Sequence, residues 1–148
     1  MKQSSSTSPT LGLALGLALV AGTASAQNQT PAAKQPTTLD KIDYYRQQIA
    51  EHPKHYPAYA RLGRAWLDRA RQTYDPAALN EARTALRRSL AIQPNYEALH
   101  DLAGGANYAH RFDEALDWCD QAAEALPEDK GVIAMQVEAL LALGRGDD

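Results

Sequence analysis

Catalysis needs a nucleophile, a metal or a titratable pair held at a fixed spacing, and this chain offers few residues of those kinds. Its 148 residues include four histidines and one cysteine. His52 and His55 flank Pro53, where they would grip a metal only with a third ligand from elsewhere, and the sequence has no HExxH pair or Cys/His cluster. Cys119 has no histidine at helical spacing and occupies a packing position, so it reads as a small buried hydrophobe rather than a nucleophile. Neither a GxSxG elbow nor a glycine-rich phosphate loop is present. Asp113, Glu114, Asp117 and Asp120 form an acidic edge at the start of a helix, where carboxylates are solvated and favoured by the helix dipole. The expectation is a non-catalytic protein with no metal and no cofactor.

The segments that would hold such residues divide the chain unevenly. Lys2, the uncharged run Leu11 to Ala21 and the small-x-small Ala24-Ser25-Ala26 make a secretory signal peptide over residues 1–26. The apolar run is about half of the roughly 20 residues a bilayer-spanning helix needs, so no membrane insertion is expected after cleavage. A lone cysteine excludes an internal disulfide framework, and Cys119 lies too far from the cleavage site to carry a lipid. The mature chain is expected in the bacterial periplasm or outside the cell. Residues 27–37, QNQTPAAKQPT, read as a flexible linker.

Charge is split along the chain. Residues 40–95 carry ten basic and six acidic side chains, and residues 96–148 carry three and twelve, giving +4 and −9. That division argues against general nucleic-acid binding and fits two differently solvated faces, a polar protein partner or self-association.

From Leu39 onward the apolar period is helical and nothing alternates with period two. Leu39, Ile42, Tyr45 and Ile49 share one face, Thr37 with Asp40 resembles a capping box, and Pro53 ends that helix. A second helix carries Tyr59, Leu62, Ala65, Trp66 and Ala70, with Trp66 expected in the core. Asp75-Pro76 opens a third, with Leu79, Ala82, Leu86, Ser89 and Leu90 inward. Helices at about 96–109, 112–126 and 130–143 follow, the last stopped by Gly144. Six helices and no strand predict an all-α protein of antiparallel hairpins.

The hairpins repeat. Leu79, Glu81, Ala82, Leu86, Ser89 and Pro94 match Phe112, Glu114, Ala115, Cys119, Ala122 and Pro127, each pair 33 residues apart. Small residues sit where helices approach closely and large ones fill the space between hairpins, so the units are expected to stack into a superhelix. Tyr59, Leu62-Gly63 and Trp66, then Ala82, Leu86, Ser89 and Pro94, resemble the two helices of a tetratricopeptide repeat. Leu99, Leu102-Ala103, Ala106, Ala115, Cys119, Ala122 and Pro127 resemble the next repeat. About seven extra residues near Arg69 to Pro76 depart from that pattern, and Gly104 leaves the register of the second repeat open by one residue. The resemblance implies a helical repeat domain over residues 38–144. It holds a lone second helix (39–53), repeats at 56–95 and 96–129, a lone first helix (130–144), and a tail at 145–148.

It further implies a groove, lined by first helices, that binds a protein or peptide. Arg64, Asp68 and Arg71, then Glu97, His100, Asn107 and Tyr108, then Glu138 fall on the stripe not used for packing, together with Ala60, Leu67, Gly104, Gly131, Ala134 and Leu141. The carboxylate-clamp members of the family use Lys and Asn where this chain has Ala60, Arg64 and Asp101, so that partner class is not expected. Arg64 and Asp68, four apart, can pair with each other. In the last helix Val132, Val137, Leu140 and Leu141 give an apolar outer face where a solenoid end is normally polar. Its expected cover is a second copy in a two-fold dimer. The rival account is that the chain is a truncated piece of a longer repeat protein.

Overall fold

Capping side chains and prolines set the helix boundaries. A computed structural model describes residues 35–146, so the expected signal peptide and nearly all of the linker lie outside the described residues. The helices are α1 (Thr38–Glu51), α2 (Tyr56–Thr73), α3 (Pro76–Ile92), α4 (Tyr96–Tyr108), α5 (Phe112–Ala125) and α6 (Lys130–Ala142), with no strand among the described residues. Thr37 and Asp40 form the full capping box, the Asp40 N–H donating to Thr37 Oγ1 at 3.2 Å and the Thr37 N–H to Asp40 Oδ2 at 2.8 Å. Asp75, Asn95 and Asp129 cap α3, α4 and α6 through their side-chain oxygens. Each such cap is worth about 1 kcal/mol.

Packing follows the small residues. The helices form two layers: α4 packs on both α2 and α6 in the inner layer, while α1, α3 and α5 pack on inner helices, with α3 reaching α5 through Arg87, whose Nη2 lies 3.3 Å from Glu114 Oε1 and whose guanidinium lies 5.7 Å from the Trp118 ring centre. A Cβ on Gly63 would fall 2.4 Å from Leu86 Cγ, so glycine is what lets α3 close onto α2. Ala103, fully buried with Cys119 and Ala122, does the same for α4 and α5. That settles the register: Ala103 is the counterpart of Gly63, while Gly104 points elsewhere. The extra residues of the first hairpin lengthen α2 and α3 to 18 and 17 residues, against 13 and 14 for α4 and α5.

Buried Ser89 stays satisfied at its close contact, its hydroxyl donating to the Tyr56 carbonyl at 2.9 Å and accepting from Asn95 Nδ2 at 3.0 Å. Trp66 is half-buried rather than enclosed. It bridges the cluster of Ile42, Leu62, Ala65 and Ala85 and the cluster around Leu67 and Leu86, with the Arg46 guanidinium 5.3 Å from its ring.

Candidate functional site

The inner surface is built by α2, α4 and α6, and the structure sorts the expected groove residues into three groups. Arg64, Arg71, Glu97, Gly131, Ala134, Glu138 and Leu141 are exposed; Asp68, His100, Gly104 and Tyr108 are half-buried. Ala60, Leu67 and Asn107 are buried, which corrects their expected place in the lining. Ala60 and Leu67 are spent on the cluster that joins α2 to α3 and α4. Asn107, 5% exposed, ties α4 to α6: its Nδ2 donates to the Met135 carbonyl at 2.9 Å and to Glu138 Oε2 at 3.3 Å. Its Oδ1 has no hydrogen-bond partner among the described residues.

Arg64 does not pair with Asp68. Its Nε and Nη2 donate to Asp101 Oδ2 and Oδ1 at 2.9 and 2.7 Å, a bidentate bridge from α2 to α4. Asp101 is 8% exposed in its side chain, and a dry carboxylate on the neighbouring helix outcompetes a solvated one on the same helix. The hydrogen bonds to Asp101 raise the Arg64 pKa against the desolvation that lowers it. Asp68 meets Arg71 instead, at 3.5 Å. The bridge spans 37 positions in sequence, a separation no helical periodicity reports.

Around Gly104 the surface is open. A Cβ there would meet Met135 Sδ at 3.4 Å and Arg71 Nη2 at 3.9 Å, and the Arg71 guanidinium lies 5.9 Å from the Tyr108 ring centre. Arg71, with Tyr108 beside it, and Met135 thus both border Gly104. Met135 escaped the sequence reading because a methionine in an apolar helix carries no surface signal. At the far end His100 stands against Tyr96, ring centres 5.8 Å apart, with Nδ1 3.4 Å from Asp101 Oδ1. The Asp129 carboxyl is held below the ordinary carboxylate range, chiefly by the Val132 N–H and also by Tyr96 and the Gly131 N–H, against a desolvation that acts the other way. Burial, and then the Asp129 hydrogen bond, pushes the Tyr96 hydroxyl up.

No protein-family model matches this chain, and no curated protein does. The remaining chemistry-bearing residues are placed plainly by the fold. His52 and His55 are exposed in the α1–α2 turn, and no group of three His, Cys, Asp or Glu side chains among the described residues is placed to hold a metal ion. Cys119 is fully buried, and desolvation, with Asp120 second, pushes its thiol up to about 11. No helix among the described residues is long and apolar enough to cross a membrane.

The last helix needs a correction. Val132, expected on the outer face, is 1% exposed and packs with Leu99, Ala103, Cys119 and Ala122. Leu140 is half-buried. The exposed stripe is Ile133 (47%), Val137 (50%) and Leu141 (64%). A helix apolar on nearly every side does not reveal which side will pack, and the inward face here is set by Val132 and Ala139, seven residues apart.

Proposed function

We propose that this chain is an exported, non-catalytic adaptor that binds a protein or peptide along the inner surface of its helix stack, as tetratricopeptide-repeat proteins do. The observation that carries the reading is the set of side chains that the inner surface gathers around Gly104. Arg71 stacked on Tyr108, the Met135 thioether, and the carboxylates of Glu97 and Glu138 offer a mixed polar and apolar lining on three rigid helices. Such a lining suits an extended peptide, which needs hydrogen-bond partners for its backbone and flat apolar contacts for its side chains. The Arg64–Asp101 bridge neutralises its own charges and stiffens the wall between α2 and α4, so ligand contact falls to Arg71, Tyr108 and the flanking carboxylates. The signal-peptide pattern supports delivery to the periplasm or beyond.

The test is site-specific photo-crosslinking in bacteria that express the full-length chain. A benzophenone amino acid at Ala134, on the inner surface, should give a discrete partner adduct that Arg71→Glu diminishes. The same probe at Arg88, on the outer layer, should give none. Equal adducts at both positions, or adducts from Arg88 alone, would refute the reading. N-terminal sequencing of the exported protein should begin at Gln27; material beginning at Met1 would refute export.

A further inference from the structure

The fold leaves one helix-sized place open on its outer layer. α2 receives α3 and α4 receives α5, but the inner helix α6 has no outer helix on the corresponding face among the described residues. That face carries Ile133, Val137 and Leu141, three side chains at intervals of four, rising about 12 Å along the helix at 1.5 Å per residue. Beside it a groove of about 380 Å³ runs between α5 and α6, lined by Leu116, Gln136 and Leu140 and bordered by the Asp120 carboxylate and by one cation, Arg145. An apolar stripe two turns long next to an open groove is the shape that a packed helix fills.

Charge selects among helices. Asp113, Asp117, Asp120 and Glu124 are all exposed and recur on one edge of α5, three or four residues apart. Asp120 also accepts from Gln136 Nε2 at 3.0 Å, which fixes the acidic edge against α6. The half of the chain that holds this edge, residues 96–148, carries −9. A second copy docking through its own α6 would bring the same −9 half against this one. At the other end of the stack the outer helix α1 exposes Leu39 and Tyr44, five residues apart among Lys41, Asp43 and Gln47, which is not a continuous apolar stripe.

We propose that the α5–α6 groove is a docking site for a cationic amphipathic helix of another protein. Its leucine-like stripe lies on Ile133, Val137 and Leu141, and its lysines or arginines face the α5 carboxylates. Ile133 and Val137 distinguish this surface from the inner one, while Leu141, seven residues after Ala134, borders both.

The probe is a 16-residue synthetic peptide with leucines at intervals of three and four and lysines on the flanks, titrated into the full chain by calorimetry. Two controls keep the leucines but replace lysine by glutamate, or scramble the order so that no apolar stripe forms. The lysine peptide should bind at least tenfold tighter than either control. Val137→Glu, and independently Leu141→Lys, should each weaken it at least tenfold with an unchanged circular dichroism spectrum, while Glu138→Gln on the inner surface leaves it unaltered. Asp117→Lys/Asp120→Lys should reverse the preference toward the glutamate peptide. Equal binding of the lysine peptide and its scramble, or indifference to both Val137→Glu and Leu141→Lys, would overturn the proposal. So would a wild-type dimer in light scattering that Val137→Glu dissociates, since a second copy would then be the occupant.

Discussion

The two ends of the stack are single helices of almost equal length, 14 residues in α1 and 13 in α6, yet they present opposite surfaces. α1 fully buries Ile42, half-buries Tyr45 and Ile49 on the same face, and turns Asp40, Lys41, Asp43, Gln47 and Glu51 to solvent, with Leu39 (50%) and Tyr44 (56%) scattered among them. α6 buries Val132 and Ala139 and turns Ile133, Val137 and Leu141 outward. An end with a polar outer face costs nothing in water and needs no partner; an end with an exposed apolar stripe keeps an unfavourable hydration term until something covers it. Helicity is the same at both ends. The side chains left over after packing give α1 a mostly polar outer face and α6 an apolar stripe.

The sharpest way to break this contrast is to mutate each end. Ile42→Ala should cost about 2–5 kcal/mol, the range for emptying a buried aliphatic site. Val137→Glu should stay within about 0.5 kcal/mol of wild type, as exposed substitutions do. Urea denaturation measures both, and equal losses would mean that α6 is packed as tightly on its outer side as α1 is on its inner one. Trp66→Ala should cost about 3 kcal/mol, the low end of the range for a buried aromatic, because the ring is only half-buried between the two clusters at the α1 end. An unchanged melting temperature would make Trp66 a surface residue.

The middle of the stack gives a smaller effect. Arg64→Ala leaves the Asp101 carboxylate unpaired where it is 8% exposed, but the guanidinium is itself 56% exposed, so the loss should be about 1–2 kcal/mol. A double-mutant cycle with Asp101→Ala that shows no coupling would remove the bridge from the account of the inner wall. Cys119 reports on the α6 end without a stability change. With its thiol near 11, thiol reagents at pH 8 should label the native protein far more slowly than the unfolded chain. Labelling of the native protein as fast as that of the unfolded chain would show that the packing of α4, α5 and α6 does not shield the thiol.

The smallest effect is in acid. Asp129 has a depressed pKa in the folded state, so its contribution to stability is present above the ordinary aspartate range and lost as pH falls through the folded value. Asp129→Asn should flatten that limb of a pH–stability curve, and an unchanged acid limb would mean that the α6 cap is energetically idle.

The capping box at Thr37, the Asp75-Pro76 start, the alanine spacing of the second helices and the stop at Gly144 were all legible, because each depends on residues within a few positions of one another. The helices lie within a residue or two of where periodicity put them. The site was legible only in part. Arg71, Glu97, Tyr108 and Glu138 do reach the inner surface, since any residue on the free flank of an inner helix must. Asn107 and Leu67 share that flank by count but point into the seams between helices.

What the sequence determined by itself was therefore helix placement and, in every helix but α6, the apolar face, which follow from local propensity and a 3.6-residue period; the two layers were an implication of the repeat resemblance. Tertiary structure alone decided which partner each charge chose and which side of α6 faced water. Arg64 had an acidic neighbour four residues away and took one 37 residues away, because the distant carboxylate sat where water was excluded. In α6, with apolar residues nearly all round, no local preference distinguishes Val132 from Ile133; the approach of α4 and α5 buried the first and left the second exposed.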